Sequence, residues 1–450
     1  EVTALTSVFL IWANRSERAY RAGLRYLVIQ IGSGVLLLSG ILFYFHDSGS
    51  LLFTQLIDPG ESLVTAGPGV WLIFLAFGIK CAFPLLHNWL QDAYPQATIT
   101  GTVFLSAFTT KLAVYALARG FPGTEALIGI GVVMTLFPIF FAVIENDLRK
   151  VLCYSLNNQL GFMVVGIGIG TELALNGAVA HAFVHILYKA LLFMSMGAVL
   201  YRTGTIRATD LGGLYRSMPW TAAFCIVGAM SISAFPLFSG FVAKSLTMSA
   251  VIGGYYVWTF VGLLVASAGV MEHSGIKIPY FAFFGRDSGI RCQEAPIHMC
   301  LAMGIAAALC IGIGCFPEPL YALLPYPVDY EPYADFGHSL TQVQLLLFAA
   351  LAFAVLLRTG LYPPEQNAIN LDTDWLYRRL APKVVCSVMN NLVIVTNGLS
   401  AATRSVGRAL MRSVIRHYGP EGTLARTWPT GSMVLWIAVL LAASLVLYFV

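Results

Sequence analysis

Apolar residues along the chain gather into long runs separated by short polar connectors. The runs fall at 2–12, 26–44, 71–90, 99–118, 125–144, 151–170, 174–201, 219–249, 255–271, 296–316, 340–357 and 428–450. A helix needs about 20 apolar residues to cross the hydrocarbon of a bilayer, and every run except 2–12 is near or above that length. Segment 45–70 is too polar, and too interrupted by Gly and Pro, to span. Segment 372–418 has another pattern, with Arg378, Arg379, Lys383, Arg404, Arg408, Arg412 and Arg416 punctuating an amphipathic repeat. It predicts a helix lying along the interface or along neighbouring helices, its basic face toward phosphates or water.

Composition agrees with the pattern. Of 450 residues, 58% are hydrophobic and 11% charged, with mean hydropathy +0.77; soluble domains carry about 25% charged residues. The fold class is an all-α polytopic membrane protein in the lipid bilayer. The eight cysteines stand singly in apolar segments, without a CxxC or Cys/His cluster, so neither a metal nor a disulfide framework is expected. No phosphate-binding loop is present, and no nucleotide cofactor or nucleic acid is implied. The chain begins at Glu1 inside an apolar run, and reads as N-terminally truncated, with earlier helices missing.

Placing successive loops on alternate sides tests the helix count. Loops 13–25, 88–98, 145–150, 202–218, 272–295 and 358–427 share one side and hold 21 of the 26 Lys and Arg residues. The other side holds only Arg119, and four lysines fall within spans. The positive-inside rule makes the basic loops cytoplasmic and the acidic loop 317–339 external. The expected location is a bacterial inner membrane.

Those four lysines carry the candidate chemistry. Lys80 is centred in the run 71–90, with Pro84 one turn beyond. A mid-bilayer charge costs roughly 2.5–3.5 kcal/mol even on insertion scales, and Pro84 breaks the helix beside it. A Lys80 that snorkels to an interface is the plainer alternative. Lys111 is flanked by apolar residues, and Lys244 follows Pro236 in the run 219–249. His181, His185 and Lys189 recur every four residues and so share one helix face. A lone His181 reads equally well as a hydrogen-bonded core histidine. With Glu1 heading the first run, five spans bear titratable groups, which points to a proton relay through a hydrated bundle interior. A desolvated amine can take and release a proton near neutral pH, and histidine has two nitrogens suited to shuttling. The sequence AFPL recurs at 82–85 and 234–237, in two lysine-bearing spans five helices apart. An odd separation makes the two copies cross in opposite directions, as in an inverted repeat with one broken helix each.

At these residues the chain resembles the antiporter-like family shared by Mrp-type multisubunit cation/proton antiporters and the membrane arm of respiratory complex I. GIKCAFPLLHNWLQDAYPQA, ENDLRKVLCYSLNNQLGF, HAFVHILYKALLFMSMGAVL and FPLFSGFVAKSLTMSA carry the resemblance, which covers most of 1–320. It implies that Glu1 pairs with Lys80, that Lys111, His181 and His185 connect, and that Lys244 opens to the outer side. Residues 1–170 would hold the rest of a first inverted repeat, with broken helix 71–90, and the start of a second. Residues 171–316 would complete the second, with broken helix 219–249. An outer loop, an extra span and an inner loop fill 317–371; a basic interfacial segment (372–427) and a final helix (428–450) follow. Lys244, where M-type complex I subunits tend to carry Glu, fits the D-type member of the Mrp assembly or the L- and N-type complex I subunits. The favoured reading is a D-type-like protein, a proton-translocating subunit of a Na⁺ (or K⁺)/proton antiporter working with other subunits. The alternative is a proton-pumping subunit of a complex I-type NADH-quinone oxidoreductase. No quinone, flavin or iron–sulfur motif appears, so this chain is not expected to carry electrons.

Overall fold

The computed structural model describes every residue except Glu1, 58–61, 335, 369, 371, 427–428 and 450. Among the described residues the chain is nearly all helical, and ten helices are long and apolar enough to cross a membrane. It divides into two compact units, Glu1–Asp372 and Thr373–Val450.

The first unit runs α1 (Val2–Trp12), α2 (Glu17–Ser48), α3 (Pro68–Lys80), α4 (Asn88–Ala93), α5 (Ile99–Gly120), α6 (Ala126–Ile144) and α7 (Leu148–Ile169). It continues through α8 (Glu172–Thr203), α9 (Pro219–Ile232), α10 (Ser239–Gly253), α11 (Val257–Val270), α12 (Ile297–Cys315) and α13 (Phe336–Thr359). Local chemistry sets many of these limits. Ser16, Thr98, Asp147 and Thr171 each accept a backbone N–H at the start of a helix. Gly49, Gly170 and Gly204 take left-handed conformations just past three ends. The 26–44 run thus sits inside a longer helix, because Ser16 caps a polar first turn that hydropathy does not register.

The core centres on α7, buried along almost its whole length. It packs on α6 through facing glycines. A Cβ at Gly131 would lie 2.8 Å from the Gly161 carbonyl oxygen, and one at Gly161 2.6 Å from that of Gly131. Small residues let the two backbones approach where lipid supplies no hydrophobic driving force.

One span differs from its predicted extent. The run expected to end at 271 continues through two π-helical segments, Met271–Ile276 and Tyr280–Phe284, to give one helix over Val257–Phe284. Lys277, assigned above to the loop 272–295, therefore lies within a helix and is fully buried. The wide π turns absorb the polar run 272–277 while keeping an apolar packing face, which periodicity alone does not reveal.

Two 32-residue helices, α2 and α8, each precede a broken one, α3/α4 and α9/α10. The two breaks share a backbone. Ala82 and Leu85 have φ of 61° and 70°, and Ala234 and Leu237 have 59° and 70°. The bonds match as well: Phe83 N–H reaches back to the Gly78 carbonyl, and Phe235 N–H to that of Met230. The lysines, by contrast, are not equivalent. With the motifs aligned, Lys80 falls opposite Ile232 and Lys244 opposite Asp92.

The second unit contains α14 (Ala381–Tyr418), entered through a π turn at Leu376–Leu380, and α15 (Thr430–Phe449). Along α14, Arg404, Arg408, Arg412 and Arg416 repeat every four residues and form one basic row.

Left-handed conformations are unfavourable for residues with a Cβ and worst for β-branched ones. Ala82→Val should cost about 2 kcal/mol or more. Ala82→Gly should stay within about 1 kcal/mol of wild type, because strain relief offsets glycine's extra unfolded-state freedom. Thermal unfolding of the purified protein measures both, and Ala234 should behave alike.

Candidate proton relay

Each break ends a half-helix inside the bundle, so carbonyls normally used by the next turn need other donors. In the first copy, the Phe77, Gly78 and Ile79 oxygens take the N–H groups of Cys81, Phe83 and Ala82. Trp89 Nε1 adds a 2.9 Å bond to the Ile79 oxygen. In the second, Lys244 Nζ itself donates to the Ile232 carbonyl at 3.1 Å. A helix C-terminus carries partial negative charge and favours a cation. Lys80 is the last residue of α3, and its Nζ donates to Gln30 Oε1 of α2 at 3.3 Å. Both lysines thus stand at C-terminal ends of half-helices, one as the terminal residue and one reaching back from the following half.

The remaining predicted groups fill the space between. Lys111 is buried on α5 and donates to the Ser106 carbonyl at 2.6 Å. His181, His185 and Lys189 are fully buried on α8. His181 Nε2 lies 3.1 Å from Gln159 Oε1 and 3.0 Å from Tyr188 Oη, and Tyr188 donates to Gln159 at 3.2 Å. The His185 ring is 6.4 Å from that of His181. Among the described residues neither nitrogen of His185 meets a protein partner. Lys189 Nζ donates to the Leu152 carbonyl of α7 at 3.0 Å. Lys244 Nζ also sits 4.9 Å above the Phe162 ring, beside a cavity of about 20 Å³ shared with Ser267 and Gln342. That volume admits about one water.

The structure thus gathers Lys111, His181, His185, Lys189 and Lys244 around α7 and α8, and places Lys80 at the α2–α3 contact. Glu1 lies outside the described residues. Pro84 and Pro236 lie within the turns after the breaks, while the helices themselves end at Lys80 and Ile232. Sequence reasoning passed over Gln159 and Tyr188, although the polar run SLNNQ at 155–159 in an apolar span was a readable signal. Within it, Asn158 donates to the Thr135 carbonyl and accepts from Gln159 Nε2 at 2.7 Å, which orients the Gln159 amide.

A second buried cluster went unread because its members are far apart in sequence. Asp372 Oδ2 lies 3.0 Å from His87 Nε2, and Tyr154 Oη donates to the same oxygen at 3.0 Å. His87 follows the first break, and its Nδ1 has no partner among the described residues. Outside the spans, burial holds the Asp147 carboxyl above its ordinary range, while the Arg149 and Lys150 amides bonded to it pull the other way.

Comparison with known proteins gives a concordant result. The model of the family described as "NADH:quinone oxidoreductase/Mrp antiporter, TM" matches residues 1–270. Hydrogenase-4 component B of Escherichia coli is 27% identical, over 80% of this chain and 61% of that protein. The D subunit of the Na⁺/H⁺ antiporter of Alkalihalophilus pseudofirmus is 31% identical, over 71% of this chain and 68% of its own. The chain therefore spans roughly two thirds of the length of these relatives. A chain in the solved Mrp complex of a Dietzia species has the same fold, with a TM-score of 0.62 at 20% identity, covering 78% of this chain and 71% of that one.

Removing either partner of a buried hydrogen bond strands the other, at about 1–3 kcal/mol. Asp372→Ala and His87→Ala should each destabilise by that amount. In a double-mutant cycle by thermal unfolding they should couple by more than about 0.5 kcal/mol; strict additivity would mean the contact carries no energy.

Proposed function

The chain belongs to the transmembrane family shared by NADH:quinone oxidoreductases and Mrp antiporters, and from that premise we propose that it is the proton-translocating subunit of a multisubunit Na⁺/proton antiporter. The observation that carries this reading is the buried polar file on α7 and α8, where Gln159, Tyr188 and His181 are hydrogen-bonded beside His185, with Lys111 and Lys244 buried on two helices that pack against α8. A cluster of buried amines and imidazoles is costly to hold without a task. In this reading a proton loaded on Lys111 from the Lys80 side passes through His185 and His181 toward Lys244. Both nitrogens of His185 lack partners among the described residues, a condition that buried polar groups tolerate when water satisfies them. Other membrane subunits would supply the cation path, in a bacterial inner membrane with the basic loops facing the cytoplasm.

A second reading is favoured by one observation. Similarity to hydrogenase-4 component B extends over 80% of the chain, against 71% for the antiporter protein. In a redox-driven complex of the complex I type, the same relay would be worked by electron transfer in partner subunits.

In vesicles holding the assembled complex, the antiporter reading expects Na⁺ to dissipate an imposed pH gradient without an electron donor. No Na⁺ response, together with proton uptake that needs a donor, would transfer the assignment to the second reading. Under both, Lys80→Ala should abolish proton movement with assembly intact. Lys80→Arg should fail equally, since a guanidinium does not release its proton near neutral pH. Wild-type transport by either variant removes Lys80 from the relay.

A further inference from the structure

The buried Lys277 is not used by the relay described above. Its Nζ donates to the carbonyls of Ala142 at 3.1 Å, Val143 at 2.6 Å and Glu145 at 2.8 Å, where α6 ends. It also pairs at 2.8 Å with Glu365, carried by the connector after α13. Glu365 lines a cavity of about 820 Å³ shared with polar and charged residues such as Asp210, Arg286 and Asp287. Glu145 and Glu272 add negative charge near Lys277. Burial keeps the Glu365 carboxyl above its ordinary range, against the pull of Lys277, so it is suited to holding a proton.

Four residues before Lys277, and close to one turn away in this π-distorted helix, is His273, fully buried. Its Nδ1 lies 2.8 Å from Ser274 Oγ, which donates to Ser155 Oγ of α7 at 2.7 Å. Because Ser274 gives its hydrogen to Ser155, Nδ1 of His273 must be the donor in the first contact. Nε2 is then the bare acceptor, and it has no partner among the described residues. Ser155 is one turn before Gln159, the group that holds His181. An ion pair alone would suffice to pin the connector. The imidazole and two hydroxyls add nothing to that task, and π distortions recur at functional sites.

We propose that Glu365, Lys277, His273, Ser274 and Ser155 form a second proton-conducting branch, joining the 820 Å³ cavity to Gln159 and the α8 histidines. This rests on the reading of the chain as a proton translocator. The Lys277 ammonium passes a proton to Nε2 of His273, and a proton taken up from the cavity by Glu365 restores the ammonium. The ring releases its Nδ1 proton to Ser274 as Ser274 releases its own to Ser155 and Ser155 releases its own to a water beside Gln159. Rotation of the hydroxyls and return of the imidazole tautomer reset the file, so one proton enters and one leaves.

The test uses the assembled complex in proteoliposomes with an internal pH dye, driven by whichever of a Na⁺ gradient or an electron donor moves protons in wild type. His273→Gln keeps the bulk and a donor toward Ser274 but cannot relay a proton. It should lower flux per assembled complex by about tenfold or more, with Glu365→Gln and Ser155→Ala lowering it several-fold. If His273→Gln impairs assembly, the hydroxyl deletion Ser155→Ala, the mildest change in the file, carries the decision. Normal flux per complex in these variants, with only assembly or melting temperature reduced, overturns the branch and leaves a structural pin. Lys80→Ala, run in parallel, separates the levels. If it stops flux while His273→Gln does not, the branch falls and the translocator reading stands. If it too is silent, the reading itself falls.

Discussion

A helix that stops within apolar surroundings exposes carbonyl oxygens that no water can satisfy cheaply, and this constraint shapes both halves of the bundle. The two AFPL turns meet it with backbone amides held at left-handed alanines and leucines. That strain is tolerated because the turns bring a lysine to the negative end of a half-helix. At the second break the ammonium is itself one of the donors that close the helix. The charge and the broken backbone therefore stabilise one another, and neither would be favourable alone. The same logic explains Lys277, whose Nζ meets three carbonyls where α6 ends.

Around these fixed points α7 acts as the hub. Its close glycine contact with α6 buries it, and burial forces its polar residues to find partners on neighbouring helices. Tyr154 turns to Asp372 and His87, Ser155 to Ser274, Asn158 to Thr135, and Gln159 to His181 and Tyr188. Groups far apart in sequence thereby meet inside the bundle. The connector after α13 inserts Glu365 and Asp372 among them at two places.

The proposed relay does not specify what drives it. Buried amines and imidazoles can exchange protons whether the work comes from a cation gradient or from electron transfer in another subunit. This is consistent with one family embracing both antiporters and quinone-linked complexes. The matched region ends at residue 270, while α11 continues to Phe284 with His273 and Lys277 in its π-distorted part.

The sequence by itself determined the class of protein, the spans and the positions of the costly charges. Apolar run length and the penalty for a charge in hydrocarbon are local properties. For the same reason the repeated AFPL turn, the one-face series His181, His185 and Lys189, and the amphipathic 372–418 helix were legible before any coordinates. Tertiary structure alone decided which polar groups meet. It showed that the two lysines occupy different positions in their repeats, and that Lys277 lies inside a helix rather than in a loop. It also gave Gln159, Tyr188, Asp372 and Glu365 their partners. Hydropathy records what a residue costs to bury, whereas a hydrogen bond between residues tens or hundreds of positions apart depends on how helices pack, and packing is not a local property of the chain.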